Sequence, residues 1–352
     1  MQLSEKLVIR WQRLVHYEYW PFWLFYAPMV PYGIWLSLKA RSFTFFSAVN
    51  PGITNSGVVE SSKYDILKLI NPEWLPAMVL VPVGISIENA LKNVNETGIV
   101  FPLIAKPDIG ERGAMVEKIN SITELEAYLS AAKMDTIIQE YIDYPLELGV
   151  FYHRYPNEQK GEISSVVIKE FLTITGDGKR TIRELMEAHI RAQKRLDYLE
   201  NKFGERLNEI LPADEKLLLE PIGNHSRGTT FINGGHLIND QLVTVFDEIA
   251  KDIPGFYYGR FDIKVPTEDD LYAGRNIKIM ELNGVSSEPA HIYDPSFGLF
   301  NAYREMFRHL HIIYLIGTAN HRAGIPYMSL AAFLSEMKKH YKRQGRMVMT
   351  AE

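Results

Sequence analysis

Two apolar stretches in the second half of the chain carry polar side chains at alternate positions. The stretch GRFDIKV covers residues 259–265, and IKIMELN covers residues 277–283. Because side chains alternate along a β-strand, Arg260 and Asp262 share one face of the first stretch, and Glu281 and Asn283 share one face of the second. Polar groups at the end of an otherwise apolar strand pair are costly unless they bind something. The pattern therefore predicts a strand pair that carries a cluster of functional side chains.

The predicted cluster offers oxygen ligands only. Asp262, Glu281 and Asn283 supply carboxylate and amide oxygens and no sulfur or imidazole. Such hard ligands suit magnesium and leave coordination positions for water and phosphate oxygens. A strand-end hydrogen-bond cluster that holds no metal is the structural alternative.

Length and composition limit the class of protein. With 352 residues the chain is expected to form two or three packed units, and its 46% hydrophobic and 23% charged residues are typical of a globular protein. A net charge of -5 argues against a nucleic-acid binder. The absence of cysteine excludes disulfides, zinc–thiolate sites, iron–sulfur clusters and cysteine nucleophiles. No Walker, dinucleotide-binding, G-x-S-x-G or H-E-x-x-H motif occurs.

Strand-like and helix-like segments interleave without strict alternation, which favours an α+β fold over a doubly wound sheet. A helix is expected to begin at Ser121, where Glu124 completes a capping-box pattern. One long charged helix is expected over residues 181–203. Further helices are expected near 63–70, 241–251, 301–316 and 329–346, and strands near 79–83, 98–105, 136–141, 151–155, 164–171, 257–265 and 277–283.

The sequence FPLIAKPDIGERGAMV, residues 101–116, predicts a strand that ends at Lys106 and a loop that contains Gly110 and Gly113. Glycines allow backbone N–H groups to turn towards an anion, and a lysine beside them adds a positive charge. This combination suits a polyphosphate. A plain hairpin with a solvated lysine is the alternative.

The sequence IIQEYIDYPLELGV, residues 137–150, places Glu140 and Glu147 seven positions apart across the exit of a strand. A carboxylate there can accept hydrogen bonds from ribose hydroxyls, and the backbone groups of Tyr141 and Ile142 can bind the edge of an adenine. Solvated strand ends are the alternative.

Two further segments are candidates for substrate binding. IGNHSRGTTFINGG, residues 222–235, contains His225 and Arg227, and the arginine can pair with a carboxylate or phosphate. Ser286 and Ser287 closely follow the predicted metal ligands and can orient an acceptor amine. Ordinary surface loops are the alternative for both segments.

The aromatic segment of residues 19–38, YWPFWLFYAPMVPYGIWLSL, contains no charged residue. Its length would just span a bilayer, but Pro28 and Pro31 each remove a helical hydrogen bond. We therefore expect a broken segment that lies at a membrane interface, or an aromatic flap over the protein's own core. The aromatic anchors would be Trp20, Trp23, Tyr26, Tyr32 and Trp35, and the flanking basic residues are Lys6, Arg10, Arg13, Lys39, Arg41 and, near the C-terminus, Lys338, Lys339, Lys342, Arg343 and Arg346.

These motifs together resemble the ATP-grasp superfamily. Lys106 before a glycine loop, the two glutamates around QEYIDYPLE, and R-F-D followed by E-L-N occur in the order of its carboxylate–amine ligases, such as D-alanine–D-alanine ligase. TGDGKRTIREL, residues 175–185, is similar to a segment of cyanophycin-synthetase-type members. The resemblance covers roughly residues 61–318. It implies an ATP-grasp fold in which two α+β lobes grip ATP.

The resemblance also implies roles for individual residues. Lys106 and Lys63 would contact the ATP phosphates, and the loop that includes Gly110, Arg112 and Gly113 would fold over them. Arg260 would stabilise the acyl-phosphate and the tetrahedral intermediate. The adenine and ribose would be held by Glu140, Tyr141, Ile142 and Glu147, and two magnesium ions, with Mn²⁺ as the alternative metal, by Asp262, Glu281 and Asn283.

The chain departs from the family pattern at two places. Residues 1–60 stand where the family has a glycine-containing α/β domain, so that domain is expected to be reduced or replaced. The loop after E-x-N reads GVSSEPAHIYDP and differs from that of the dipeptide ligases. The expected organisation is the N-terminal segment 1–60, a small lobe 61–150, a large lobe with the metal site 151–320, and a C-terminal helix with a basic tail 321–352.

The expected function is an ATP- and Mg²⁺-dependent ligase that joins a small-molecule carboxylate to an amine through an acyl-phosphate, with release of ADP and phosphate. The alternatives are a kinase-like ATP-grasp phosphotransferase and a non-catalytic nucleotide-binding protein on a membrane surface. We expect a cytoplasmic protein, peripheral on the inner face of a membrane.

Overall fold

A computed structural model of the chain describes residues 11, 15–59, 61–110 and 113–348. The predictions for Lys6, Arg10, Arg13, Arg112 and the Arg346 side chain lie outside the described residues. The remaining chain is α+β, as expected, and every strand pair described is antiparallel.

The strands are β1 (Met78–Val81), β2 (Leu103–Pro107), β3 (Glu117–Ile119), β4 (Thr136–Glu140), β5 (Leu146–His153), β6 (Glu162–Glu170), β7 (Thr173–Thr175), β8 (Lys216–Leu218), β9 (Thr230–Asn233), β10 (Tyr258–Val265) and β11 (Lys278–Asn283). The helices are α1 (Phe22–Tyr26), α2 (Val30–Ala40), α3 (Lys63–Leu67), α4 (Ile87–Glu96), α5 (Ile122–Ala131), α6 (Ile182–Ala188), α7 (Leu196–Phe203), α8 (Asp240–Lys251), α9 (Glu268–Tyr272), α10 (Leu299–Arg322) and α11 (Leu330–Val348).

The strands form two main sheets. The first has the order β1-β4-β2-β3, and the second has the order β11-β10-β5-β6-β9. In the first sheet, α4 and α5 cover one face, with Val94 and Leu125 packed against Leu103 and Ile138. In the second sheet, α8 covers one face through side chains such as Phe246. The other face of each sheet is left for a shared cavity.

Side chains of β10 point alternately to the two faces of the second sheet. Phe261, Ile263 and Val265 are fully buried in the core beneath α8. The side chains between them point the other way, as the two-residue period of a strand requires. The predicted strand pair is thus confirmed, with β10 and β11 antiparallel and a bulge after Asp262.

The aromatic N-terminal segment folds against the protein's own body. Pro28 lies in a 3₁₀ turn, Ala27–Met29, and Pro31 lies at the start of α2, where a missing N–H costs no helical bond. Phe25 packs on Met306 of α10, and Leu36 packs among α10 residues and Phe151. The predicted break at the prolines is confirmed, and one face of the segment is buried in the way that a flap would be.

The prediction of one continuous helix over residues 181–203 is wrong. The chain forms α6, a 3₁₀ turn over Ala192–Arg195, and α7. Helix α6 ends at Ala188, and the backbone of the next residue, His189, is extended. Arg191 is buried and forms an ion pair with Glu18 at 2.8 Å. A tertiary contact to the N-terminal segment therefore accompanies the break, which local propensity could not reveal.

None of the helices in the described ranges is long and apolar enough to cross a bilayer.

Candidate active site

A cavity of about 890 Å³ lies between the two main sheets. Its walls come from β2 and β4 of the first sheet and from β5, β6, β10 and β11 of the second, and residues 17–29 close one side. Most of the residues predicted to act in binding or catalysis line this one cavity.

Strand β10 sets the long axis of the cavity. Tyr258, Arg260, Asp262 and Lys264 alternate with core residues and all line the cavity. At 3.3 Å per residue this row extends for about 20 Å. The row orders the groups of the site from an aromatic end at Tyr258 to a second end at Lys264.

Asp262 is the one carboxylate of the row, and its oxygens accept several hydrogen bonds. It accepts hydrogen bonds from Arg260 at 3.2 and 3.1 Å and from Asn283 at 2.9 Å, and it pairs with Lys169 at 3.1 Å. Burial opposes ionisation of the carboxyl, but Arg260 and Lys169 outweigh it and lower the pKa of Asp262. Asp262 is therefore a fixed negative charge at the centre of the cavity.

Glu281 is the free carboxylate of the cluster. It pairs with Asp262 in the register of β10 and β11, and Arg260 pairs with Asn283. All four side chains line the cavity, which confirms the expected sharing of a face. No hydrogen bond or ion pair to the Glu281 carboxylate is found among the residues that the structure describes. It is thus free to bind a ligand.

The donor set fits magnesium. No group of three or more His, Cys, Asp or Glu side chains that could hold a metal occurs within the described ranges. Two carboxylates and one amide, with Glu281 unpaired, are instead the kind of partial set that binds Mg²⁺ together with phosphate oxygens and water. Asp262, Glu281 and Asn283 are the residues that would hold it.

Lys106 crosses the cavity from the first sheet to the second. Its Nζ donates to Gln139 Oε1 and to the carbonyl of Met280, both at 2.9 Å. Burial is the main reason that the pKa of Lys106 is lowered to about 8; Lys63 acts in the same direction, and Glu281 and Asp262 oppose it. The Nζ of Lys63 donates to the carbonyl of Gly110. Lys106 thus reaches β11 and the neighbourhood of Glu281 and Asp262 from the opposite wall, and Lys63 lines the same cavity beside Lys106.

The glycine loop after β2 lies at the cavity wall. Gly110 and Gly113 both line the cavity, and Gly113 has a φ of 68°. A Cβ at Gly113 would lie 3.1–3.2 Å from Asn224, so both the backbone angle and the space favour glycine. Gly110 and Gly113 therefore lie on the same cavity wall as Lys106 and Lys63.

The opposite end of the row contains the residues predicted to hold a nucleoside. Tyr141, Ile142 and Glu147 line the cavity. The Nζ of Lys264 donates to the carbonyl of Ile142 at 2.9 Å and lies 3.7 Å from Glu147. A Cβ at Gly223 would lie 2.1 Å from Glu147 Oε1, so a glycine is needed there for the carboxylate to fit.

Four predicted residues lie apart from the centre of the cavity or are engaged elsewhere. Glu140 is absent from the cavity lining, and its Oε2 accepts from the backbone of Ala77 at 3.1 Å. Arg227 is also absent from the lining and pairs with Glu220 at 3.4 Å. Ser286 and Ser287 line the cavity, although their hydroxyls donate to the backbone carbonyls of Gly57 and Gly284.

His225 lines the cavity next to Tyr293, with ring centres 5.2 Å apart. Burial, with Arg191 nearby, lowers the pKa of His225 to about 4, and Glu18 raises it only partly. The ring is therefore neutral at physiological pH and is suited to hydrogen bonding.

Lys169, on β6, is a site residue that sequence reasoning missed. It is buried and bridges Glu147 at 3.0 Å and Asp262 at 3.1 Å, because it shares the cavity face of the second sheet with both. The one available signal was a lysine in the apolar run VVIKEF, residues 166–171. A charged residue on a buried strand is rare unless it is paired.

Asn50 is a second missed residue, and it supports the site from the N-terminal side. Its Oδ1 accepts from the backbone of Tyr257 and Tyr258 at 2.9 and 3.0 Å, and its Nδ2 donates to the Tyr258 carbonyl at 2.8 Å. These three bonds fix the beginning of β10. Residues 45–57 therefore position the strand that carries Arg260 and Asp262.

No family model matches the chain, and no curated protein matches it. Solved structures do, at low identity. The D-Ala:D-Ser ligase VanG of Enterococcus faecalis is 15% identical with a TM-score of 0.42, over 73% of this chain and 61% of that protein. The D-alanine–D-alanine ligase of Bacillus anthracis is 13% identical with a TM-score of 0.41, over 75% and 69%.

A bifunctional glutathione synthetase from Pasteurella multocida is 15% identical with a TM-score of 0.38. The match covers 70% of this chain and 36% of that protein, so the chain spans about a third of its length. The chain is thus similar to these three structures at low sequence identity, with TM-scores between 0.38 and 0.42.

Proposed function

We propose that this protein is a ligase that uses ATP and Mg²⁺ to activate a carboxylate as an acyl-phosphate and then joins it to an amine. The observation that carries the proposal is the convergence on one cavity of an unpaired Glu281, the ionised Asp262, Asn283, Arg260 and the buried Lys106. A negative metal site flanked by fixed cations on both walls is suited to phosphoryl transfer.

The nucleotide would lie along the β10 row. Ile142, Glu147 and Lys264 form the end that would take the base and ribose, and Lys106, Lys63 and the Gly110–Gly113 loop would bind the phosphates. Mg²⁺, held by Asp262, Glu281 and Asn283, would neutralise charge on the phosphate oxygens. Glu140 stays a prediction for the adenine and ribose, and Arg112 stays a prediction for the phosphates.

Arg260 is the residue that we assign to catalysis. It lies two positions from Asp262 on the same face, and its guanidinium bonds Asp262 and the backbone carbonyl of Glu288. The substrate carboxylate oxygen attacks the terminal phosphorus of ATP, and the bond to ADP breaks. The amine then attacks the acyl carbon, and phosphate leaves. A fixed cation beside the carbonyl oxygen stabilises the charge that develops in both steps.

The proposed organisation follows the two sheets except within β5. Residues 61–150 would form the small lobe and residues 151–320 the large lobe, with 321–352 as the C-terminal part, although residues 146–150 of β5 pair within the second sheet. Residues 1–60 would form an N-terminal segment that packs against the large lobe. The bonds from Asn50 to β10 and the lining of the cavity by residues 17–29 support this arrangement.

The reaction is tested with hydroxylamine as a universal amine and a panel of carboxylates that includes amino acids, aliphatic acids and aromatic acids. Turnover should release ADP and phosphate in equal amounts with a hydroxamate. When the carboxylate is labelled with ¹⁸O, one label should appear in phosphate, because its oxygen attacks phosphorus. AMP and pyrophosphate would contradict the proposal. A stable phosphorylated product would favour the phosphotransferase.

We also propose that the protein lies on the cytoplasmic face of a membrane. Phe22, Trp23 and Trp35 of the N-terminal segment are 63%, 70% and 47% exposed, and Lys39 lies 4.4 Å over the Trp35 ring. Exposed aromatic and basic groups on one segment suit an anionic lipid surface.

Vesicles of phosphatidylcholine and phosphatidylglycerol test the membrane proposal. The full-length protein should cosediment with the vesicles, and the double variant Trp23→Ser/Trp35→Ser should not. Phe300→Ser is the matched control, because Phe300 is 89% exposed but lies on α10. Deletion of the segment is a poorer test, since Phe25 and Leu36 are buried. A full-length protein that stays in the supernatant contradicts the proposal.

A further inference from the structure

The aromatic end of the cavity, which we call the apolar arm, is built by the N-terminal segment and α10. It continues the cavity beyond Arg260, on the side away from Lys264. Its walls are side chains that have little polar surface: Trp20, Phe25, Tyr26, Met29, Met306 and Ile313.

The order of residues along β10 places the arm next to Arg260, the residue that we take to bind the substrate carboxylate. Tyr258 precedes Arg260 by two residues on the same face, so the arm begins about 7 Å beyond the arginine. Tyr293 connects the two regions, since its hydroxyl donates to Glu288 at 2.8 Å while Arg260 donates to the Glu288 carbonyl. A molecule whose carboxylate lies at Arg260 can therefore extend its remaining atoms into the arm.

The charged groups around the arm are neutral or already paired. Glu18 forms a buried ion pair with Arg191 at 2.8 Å. Burial lowers the pKa of both His225 and His309, so the rings are neutral, and the Glu288 carboxylate accepts a hydrogen bond from the Tyr293 hydroxyl at 2.8 Å. Among the described residues around the arm, these groups offer no unpartnered charge to a second carboxylate or ammonium group.

Two buried polar atoms in the wall are without a partner. The hydroxyl of Tyr26 and Nε2 of His309 make no hydrogen bond in the described part of the chain, and both residues line the cavity. His309 is 3% exposed, and its Nδ1 already bonds the Tyr258 hydroxyl at 3.0 Å. Buried polar atoms without partners are unfavourable, so a polar group on a ligand would stabilise the arm.

We infer that the carboxylate substrate is an amphiphile, with its carboxyl group at Arg260 and an aliphatic or aromatic body in the apolar arm. This inference rests on the proposed function, because it takes Arg260 as the carboxylate position. Small polar acids such as D-alanine or glutamate leave the arm empty and are not the substrate class.

The inference is tested by comparing carboxylic acids of different chain length and polarity as substrates. Hydroxamate formation is measured with acetate, hexanoate, dodecanoate, 3-phenylpropionate, D-alanine and glutamate, with Mg²⁺, ATP and hydroxylamine. The specificity constant kcat/KM should rise by about fourfold per methylene group until the arm is full, as burial of apolar surface predicts. Higher rates with D-alanine or glutamate than with dodecanoate would overturn the inference.

A binding measurement separates this inference from the proposed reaction. Terminally brominated dodecanoate quenches tryptophan within contact distance, and Trp20 lines the arm. Quenching in the absence of ATP, lost in Trp20→Phe but kept in Trp23→Phe, supports the arm even if no ligase activity is found. Turnover without any quenching, or quenching that persists in Trp20→Phe, places the apolar body elsewhere and overturns the inference.

Two variants test the arm itself. Met29→Trp fills it and should weaken brominated dodecanoate binding at least tenfold, with Mg²⁺-ATP binding unchanged. Tyr26→Phe keeps the shape but removes the unpartnered hydroxyl, and it should retain alkanoate binding. Should Met29→Trp fail to fold, Phe22→Ala supplies the second test, because the largely exposed Phe22 stacks on Tyr26 of the arm with ring centres 4.2 Å apart, and its loss should weaken brominated dodecanoate binding. Unchanged alkanoate affinity in a folded Met29→Trp protein contradicts the inference.

Discussion

Lys106 shows how burial prepares a single residue for a polyphosphate ligand. Its ammonium group is nearly removed from solvent, and its pKa is lowered to about 8. At neutral pH it remains mostly protonated, and it bonds only one amide oxygen and one carbonyl oxygen. A phosphate placed beside it would give it an anionic partner that these neutral acceptors do not provide.

Lys106→Met should weaken nucleotide binding by roughly 10- to 100-fold, as expected for loss of a charge-assisted hydrogen bond. Isothermal titration calorimetry with ADP and Mg²⁺ measures the change. Lys92→Met is the matched control, since Lys92 is an exposed lysine of α4 beside the same sheet. Equal affinities of wild-type and Lys106→Met proteins would remove Lys106 from the phosphate site.

The sequence was sufficient to predict residues whose roles depend on local pattern. Alternation along two strands brought Arg260, Asp262, Glu281 and Asn283 to one face, and the structure gathers them at one cavity. Sequence reasoning missed Lys169 and Asn50 because their bonding partners lie far away along the chain. Asn50 bonds backbone groups 207 and 208 positions away, and no periodicity reports such a contact.

At the scale of elements, β5 supports the site through a missing side chain. Gly149 faces the cavity side of β5, between β10, which carries Arg260 and Asp262, and β6, which carries Lys169. A Cβ there would lie 2.7 Å from Val167, 3.1 Å from the Arg260 Cδ and 3.2 Å from Asp262 Oδ1. The close packing of Arg260 and Asp262 therefore requires glycine at this position.

Gly149→Ala should reduce both stability and catalysis. Overpacking of this kind costs about 1–3 kcal/mol, and displacement of Arg260 and Asp262 should lower Mg²⁺-dependent turnover. Chemical denaturation and steady-state kinetics measure the two effects. Gly33→Ala is the control, because its Cβ would meet Leu310 at an ordinary 3.9 Å. A variant of Gly149 with wild-type turnover would show that the cluster tolerates the shift.

The helix that breaks after residue 188 illustrates the limit of element prediction. Local propensity favoured one helix over residues 181–203, and the capping box of Thr181 and Glu184 is present at its beginning. The structure turns the chain at His189 and brings Arg191 to Glu18. A pairing across 173 positions competes with helix continuation, and only the folded molecule shows it.

At the scale of the whole molecule, several histidines are buried in the neutral form. Burial lowers the pKa of His153 to about 4 and of His225 to about 4, and it lowers the pKa of His309 well below its usual value. The unfolded chain binds more protons than the folded chain at pH values between 4 and 6.5. The free energy of unfolding is therefore highest above pH 6.5 and decreases as the pH falls towards 4.

Acid should destabilise the protein by about 1.4 kcal/mol per pH unit for each such histidine below pH 6.5. Urea denaturation at pH 7.5, 6.5, 5.5 and 5.0 measures the slope. His153→Gln should make the slope shallower, and His236→Gln, at an exposed position, should leave it unchanged. Stability that is independent of pH over this range would contradict neutral burial of these rings.

The central claim is that Asp262, Glu281 and Asn283 hold magnesium between the protein and a nucleotide. The most direct measurement is calorimetric titration of the full-length protein with ADP, with Mg²⁺ and with EDTA, for the wild type and for Glu281→Gln. Glu268→Gln, an exposed carboxylate on α9, is the control. We predict binding that requires Mg²⁺ in the wild type and in the control, and that is lost or no longer depends on Mg²⁺ in Glu281→Gln, because the amide lacks the negative charge that the Glu281 carboxylate would bring to the metal. Nucleotide affinity that is the same with EDTA, or the same in Glu281→Gln, would contradict the claim.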